Sequence, residues 1–120
     1  MSASDSSPDR RKIKRKYLAF FTRVFDRSNG ELLGHLANVT AEGAMVICER
    51  PLQTGKDYQL CMDLPETFFE KSYLAFEARC IWCKPDLAPQ FHNAGFKFRR
   101  IAPEDIQIIE RIIEAYGFRD

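Results

Sequence analysis

This sequence predicts an all-β fold with a C-terminal helix, a six-stranded antiparallel β-barrel, and three observations carry the prediction. Short runs of aromatic and β-branched residues recur between turn-forming segments from residue 17 to residue 99. The apolar period lengthens from two to between three and four only after Pro103. The 120 residues, 45% of them hydrophobic, suffice for one globular domain and leave no room for a second. Six strands joined by hairpin-like links favour a barrel over an open sheet, because closure removes exposed edges.

Residues 1–16 read as a flexible arm and residues 17–120 as the folded body. Tyr17–Asp26 is the first expected strand, and Arg27-Ser-Asn-Gly30 supplies a turn in which Asn29-Gly30 can take positive φ. Glu31–Val39 returns, Asn38–Gly43 makes a tight connection, and the run Ala44–Glu49 suggests a buried third strand. Pro51 and Gly55 bracket a loop before Asp57–Asp63, a strand with Tyr58, Leu60 and Met62 on one face. Pro65–Lys71 fits a helical turn or an irregular loop. In Tyr73–Lys84, Leu74, Phe76, Ala78, Cys80 and Trp82 alternate as one face of a fifth strand. After the loop Pro85–Gln90, Phe91–Arg99 is the sixth, with Ala94, Phe96 and Phe98 on one side. The helix spans about 103–116: Ile106, Ile109, Ile113 and Tyr116 form its apolar stripe, Ile108 and Ile112 widen it, and Gly117 ends it. That stripe needs cover, from the barrel of a monomer or from a second copy in a homodimer.

Composition narrows the function classes. No stretch free of charged residues exceeds the ten of Leu32–Ala41 and Leu87–Phe96, so membrane insertion through a helix is excluded. The N-terminal nine residues have no apolar core, so a cytosolic protein is expected. Of four cysteines, only Cys80 and Cys83 stand at a zinc-site spacing, and no second pair accompanies them. Strand alternation sends those two to opposite faces, so Cys48, Cys61, Cys80 and Cys83 read as free thiols without a metal. His35 and His92 lie in strand-like sequence outside any ligand spacing, and no phosphate-binding loop, dinucleotide fingerprint or nucleophile elbow occurs. A binding module is expected rather than an enzyme.

Charge supplies the first positive clue. Six of the seven residues Arg10–Lys16 are basic, whereas from Tyr17 onward twelve basic residues face 15 acidic ones, a net −3. An arm of close like charges repels itself and awaits an anion. A small barrel binding RNA or DNA through such an arm is one reading, opposed by the acidic body, which repels an extended phosphate backbone.

Two motifs sharpen the anion. Arg11-x-x-x-Arg15 precedes Asn38-x-Thr40-x-x-Gly43, and together they resemble the two-part signature of PilZ domains, bacterial receptors for cyclic di-GMP. Thr40 stands where that signature usually has Ser and keeps the hydroxyl. Cys80-Ile-Trp82 and Ala94-Gly-Phe-Lys-Phe98 resemble later strands of the family, so the likeness runs from about Arg10 to Gly117. It implies a barrel with a C-terminal helix, cyclic di-GMP as ligand without a further cofactor, and a downstream protein partner. It also implies ligand contacts from Arg11, Arg15, Asn38, Thr40 and Gly43. Arg10, next to the first motif, is a further candidate, and in the family such an arginine goes with a stacked pair of ligands. Trp82, the sole tryptophan, is read either as core or as a guanine-stacking residue. A PilZ-fold adaptor without a ligand is the third reading.

The residue types suit a dinucleotide with two phosphodiester charges and two guanines. Guanidinium pairs bidentately with phosphate or with guanine O6 and N7, and stacks on the purine face. The Asn38 amide donates and accepts, Thr40 offers a hydroxyl, and Gly43 offers either positive φ or room for close approach. Without a ligand, the same six residues fit an Asx turn closed by glycine.

Overall fold

The computed structural model describes residues 22–64 and 71–116. Strands β1 (Arg23–Asp26), β2 (Glu31–Val39), β3 (Gly43–Cys48), β4 (Asp57–Asp63), β5 (Tyr73–Pro85) and β6 (His92–Arg100) precede helix α1 (Pro103–Tyr116). They close in the order β1-β2-β3-β6-β5-β4, every pair antiparallel, with β1 bonded to both β2 and β4. The expected six-stranded barrel with its helix is therefore the observed one. The Tyr17–Phe21 part of the expected first strand, most of Pro65–Lys71 and Gly117 lie outside the described residues.

Local chemistry fixes the first hairpin. Asp26 Oδ1 accepts from Ser28 N (2.9 Å) and from Ser28 Oγ (2.7 Å), and Asn29 Oδ1 accepts from Glu31 N (2.9 Å). Gly30 takes the positive φ of 77° that this turn needs. Beside it, the Arg27 guanidinium donates to the carbonyls of Leu60 (3.0 Å) and Phe76 (3.1 Å), joining that corner to β4 and β5.

Alternation fills the interior. Tyr58, Leu60 and Met62 of β4, Leu74, Phe76, Ala78 and Cys80 of β5, and Ala94 and Phe96 of β6 all face the core. Ile109 and Ile112 of α1 are fully buried in the same cluster, with Ile108 and Ile113 packed against it. The part of the stripe formed by Ile108, Ile109, Ile112 and Ile113 is thus covered by its own barrel. Asp105, buried in the first turn of α1, pairs with Lys71 at 2.7 Å and so ties the helix to the approach to β5.

Irregularities break the alternation, and one overturns an expectation. Across β5 and β6, Cys80 opposes Phe96, Trp82 opposes Gly95 and Cys83 opposes Ala94, so Ile81 is an extra residue, a β-bulge. Cys83 therefore faces inward like Cys80, whereas strict alternation put them on opposite faces. Cys48 joins them: burial pushes its thiol up to about 12, with Cys83 and Cys80 adding to the effect. A thiol so shifted stays protonated at neutral pH. Among the described residues no three His, Cys, Asp or Glu converge as a metal-ligand set, and no helix is long and apolar enough to cross a membrane.

The burial of α1 sets a stability test. Ile112→Ala, which empties a fully buried site, is expected to cost about 2–5 kcal/mol, read from the urea midpoint at unchanged m-value.

Candidate functional site

Two bulges build the site by changing which face of the wall a residue occupies. In β2, Leu36 opposes Val46 and Asn38 opposes Met45, leaving Ala37 as the extra residue. Leu36, Ala37 and Val39 are buried while Asn38 is exposed. Without that extra residue, Asn38 would follow Leu36 into the core. The Ile81 bulge does the same for Trp82, which leaves the core face and lies over Gly95 on the outer wall. Asn38, Met45, Gly95 and Trp82 thus form one row across β2, β3, β6 and β5.

Gly95 makes the floor of this row. An added Cβ there would run into the Trp82 indole, so the missing side chain is what lets the ring lie down on the strand. Ile81, 49% exposed, stands beside it as a second apolar wall, and Lys84 Nζ sits 5.8 Å from the Trp82 ring centre.

The β2–β3 turn closes the end of the row. Thr40 Oγ1 accepts from Glu42 N (3.1 Å) and Gly43 N (3.2 Å), and Thr40 N donates to Gly43 O (2.9 Å). The turn is therefore organised by the Thr40 hydroxyl, not by an Asx side chain. Asn38 Oδ1 accepts only from the adjacent Val39 N (2.8 Å), and its Nδ2 has no partner among the described residues. Phe98 N donates to Glu42 O (2.9 Å), which fastens the turn to β6. Gly43 lacks one of its two expected features, since its φ is not positive, and a Cβ there would run into the Phe96 carbonyl oxygen, so the approach of β6 requires glycine.

Turn and row together border an open hollow of about 380 Å³, lined by Asn38, Thr40, Glu42, Gly43, Met45, Ile81, Trp82, Gly95 and Lys97 among others. Its walls are largely apolar, with amide and hydroxyl groups at one edge, the composition of a small-ligand site. Next to it Arg79 grips Asp57 in a fork (2.7 and 3.3 Å), and that guanidinium holds the Asp57 carboxyl below its usual range.

Of the residues expected from sequence, Asn38, Thr40, Gly43 and Trp82 come together around the hollow, whereas Arg10, Arg11 and Arg15 lie outside the described residues. Met45, Ile81, Gly95 and Lys97 were missed. Gly95 was visible as an isolated glycine inside a strand pattern, a known sign of a bulge or close approach. The others needed the cross-strand register.

Comparisons with known proteins agree on family and fold. The PilZ domain family matches residues 9–115. The solved structure of the Bacillus subtilis inhibitor of motility (MotI/DgrA) is similar with a TM-score of 0.61 at 20% identity, over 78% of this chain and 45% of that one. This chain therefore spans less than half of that protein's length. The PilZ domain of YcgR from Escherichia coli, solved with c-di-GMP, is similar with a TM-score of 0.58 at 16% identity, over 80% of this chain and 82% of that one. No curated protein matches this sequence.

Two glycine variants test the geometry. Gly95→Ala must lift the indole off β6, and because Trp82 is the only tryptophan, a red-shifted intrinsic emission with the fold retained by circular dichroism is the expected outcome. Gly43→Ala meets backbone rather than a side chain, so it should destabilise the protein by about 1–3 kcal/mol in denaturant titration without added ligand.

Proposed function

The chain belongs to the PilZ domain family, and from that footing we propose that it is a receptor for cyclic di-GMP that holds the dinucleotide between its basic arm and the outer wall beside the β2–β3 turn. The observation that carries this reading is the row Asn38, Met45, Gly95 and Trp82 ending at the Thr40–Gly43 turn. A guanine stacks on the outer face of the Trp82 indole, which itself covers Gly95, with Ile81 and Met45 excluding water from its edges. Asn38 Nδ2, without a partner among the described residues, donates to guanine O6 or N7. Thr40 Oγ1, already accepting two amides, keeps its proton within a long 3.5 Å contact to Gly43 O, and so can turn it toward the ligand.

Chain geometry makes the arm available. Leu36 N donates to Thr22 O (2.8 Å), so the chain enters the barrel beside β2, two residues ahead of Asn38. Arg15 precedes Thr22 by seven residues, a span of at most about 25 Å at the extended rise per residue. Arg11 and Arg15 supply the guanidinium groups that grip phosphate and fork onto a guanine edge, and Arg10 engages a second, stacked ligand. Binding orders residues 1–16 against the body, and a partner protein reads the resulting surface in control of motility or exopolysaccharide output. The protein carries no catalytic role in this reading.

Calorimetric titration of the full chain with cyclic di-GMP tests it. Saturable binding at two ligands per chain is expected, with one per chain counting against the Arg10 role. Arg15→Ala should weaken binding by about 10- to 150-fold, and Asn38→Ala by about tenfold. A protein that bound oligonucleotide but not the dinucleotide would sink the proposal.

A further inference from the structure

Among the described residues that line the hollow, Lys97 is the only cation and Glu42 the only anion. Lys97 projects from β6, where it opposes Gly43 on β3 and Arg79 on β5. The three positions share the outer face of the wall and differ sharply in how their charge is answered. Arg79 is held in a fork by Asp57. Gly43 carries no side chain and no charge. Lys97 is exposed and has no carboxylate partner among the described residues.

Spacing relates this cation to the row. Lys97 is two residues beyond Gly95, the next same-face position on the strand, about 6.8 Å away. That is the order of the separation between a base and the phosphate of the same nucleotide. A purine stacked on the Trp82 indole that covers Gly95 therefore brings its phosphate within reach of a four-carbon ammonium stem at Lys97. β6 is bonded along its length to β3 and β5, so the stem is planted on backbone that does not need ordering.

We infer that Lys97 Nζ is a phosphate contact of this site, supplied by the barrel itself and independent of the arm. The inference rests on the cyclic dinucleotide reading above and adds to it a cation outside both sequence motifs. The site is then two-sided: guanidinium from the arm on one face of the ligand, ammonium from β6 on the other.

The test is titration of the full chain with cyclic di-GMP at low and high salt, for the wild type, Lys97→Ala and Lys97→Arg. Lys97→Ala is expected to weaken binding about tenfold or more, and to flatten the fall of affinity with salt, because one ionic contact has gone. Lys97→Arg should stay within a few-fold of wild type. The thermal midpoint should be the same in all three, since the residue is exposed. If the wild type binds while Lys97→Ala matches its affinity and salt dependence, the Lys97 contact is overturned and the receptor reading stands. Equal weakening by Ala and Arg would indicate packing rather than charge and also overturn it. A wild type that does not bind the dinucleotide removes both.

Discussion

Each side chain on a barrel strand faces either the core or the solvent, and one inserted residue is the local device that reverses the assignment for everything beyond it. The candidate site depends on that constraint twice. Ala37 and Ile81 are such insertions, on strands separated by β3 and β6. Each sends a polar or aromatic residue outward just where the other does. The cost is local, an unpaired residue in each ladder, and the return is a row of chemistry on a wall that would otherwise be plain.

The same reversal keeps the core filled. When Trp82 leaves the inner face, Cys83 takes its place, and Cys48, Cys80 and Cys83 share one region of the interior. Three small thiols pack there in place of an indole. Helix α1 supplies the rest of the apolar volume through Ile109 and Ile112. Its anchor, the Lys71–Asp105 pair, lies at the end of the barrel that also carries the β2–β3 turn and the entry of β1, as the antiparallel registers require. The opposite end is held by Arg27, whose guanidinium reaches two neighbouring strands.

Most of the fold was legible because its signals are periodic. β2, β4 and α1 fall on their expected residues, and the hairpin at Asn29-Gly30 follows from turn chemistry alone. The faces of β5 beyond Cys80 were not legible, because a bulge leaves no mark on the composition of its own strand. It shows only in the partner strand, as a glycine at position 95. Trp82 was therefore ambiguous between core and site, and Cys83 was assigned to the wrong face. The Asn38–Gly43 segment was found for its motif, yet two of its three defined residues act within the protein: Thr40 closes the turn and Gly43 admits β6. Lys97 gave no sequence sign of its place at the hollow, since nothing in a run such as Lys-Phe-Arg-Arg separates a lysine that lines a hollow from a solvated one.

The contact between Gly43 and the Phe96 carbonyl changes what this motif can say about descent. A relative that had given up its ligand would still favour threonine or serine at the turn and glycine at the strand start, because Thr40 closes the β2–β3 turn and Gly43 admits β6. Persistence of those two letters is therefore a record of architecture. Asn38 and Trp82 carry the opposite information: among the described residues one bonds only its own neighbour, and the other lies outside the core. On the cyclic di-GMP reading proposed above, those two positions would be the first to wander once binding ceased.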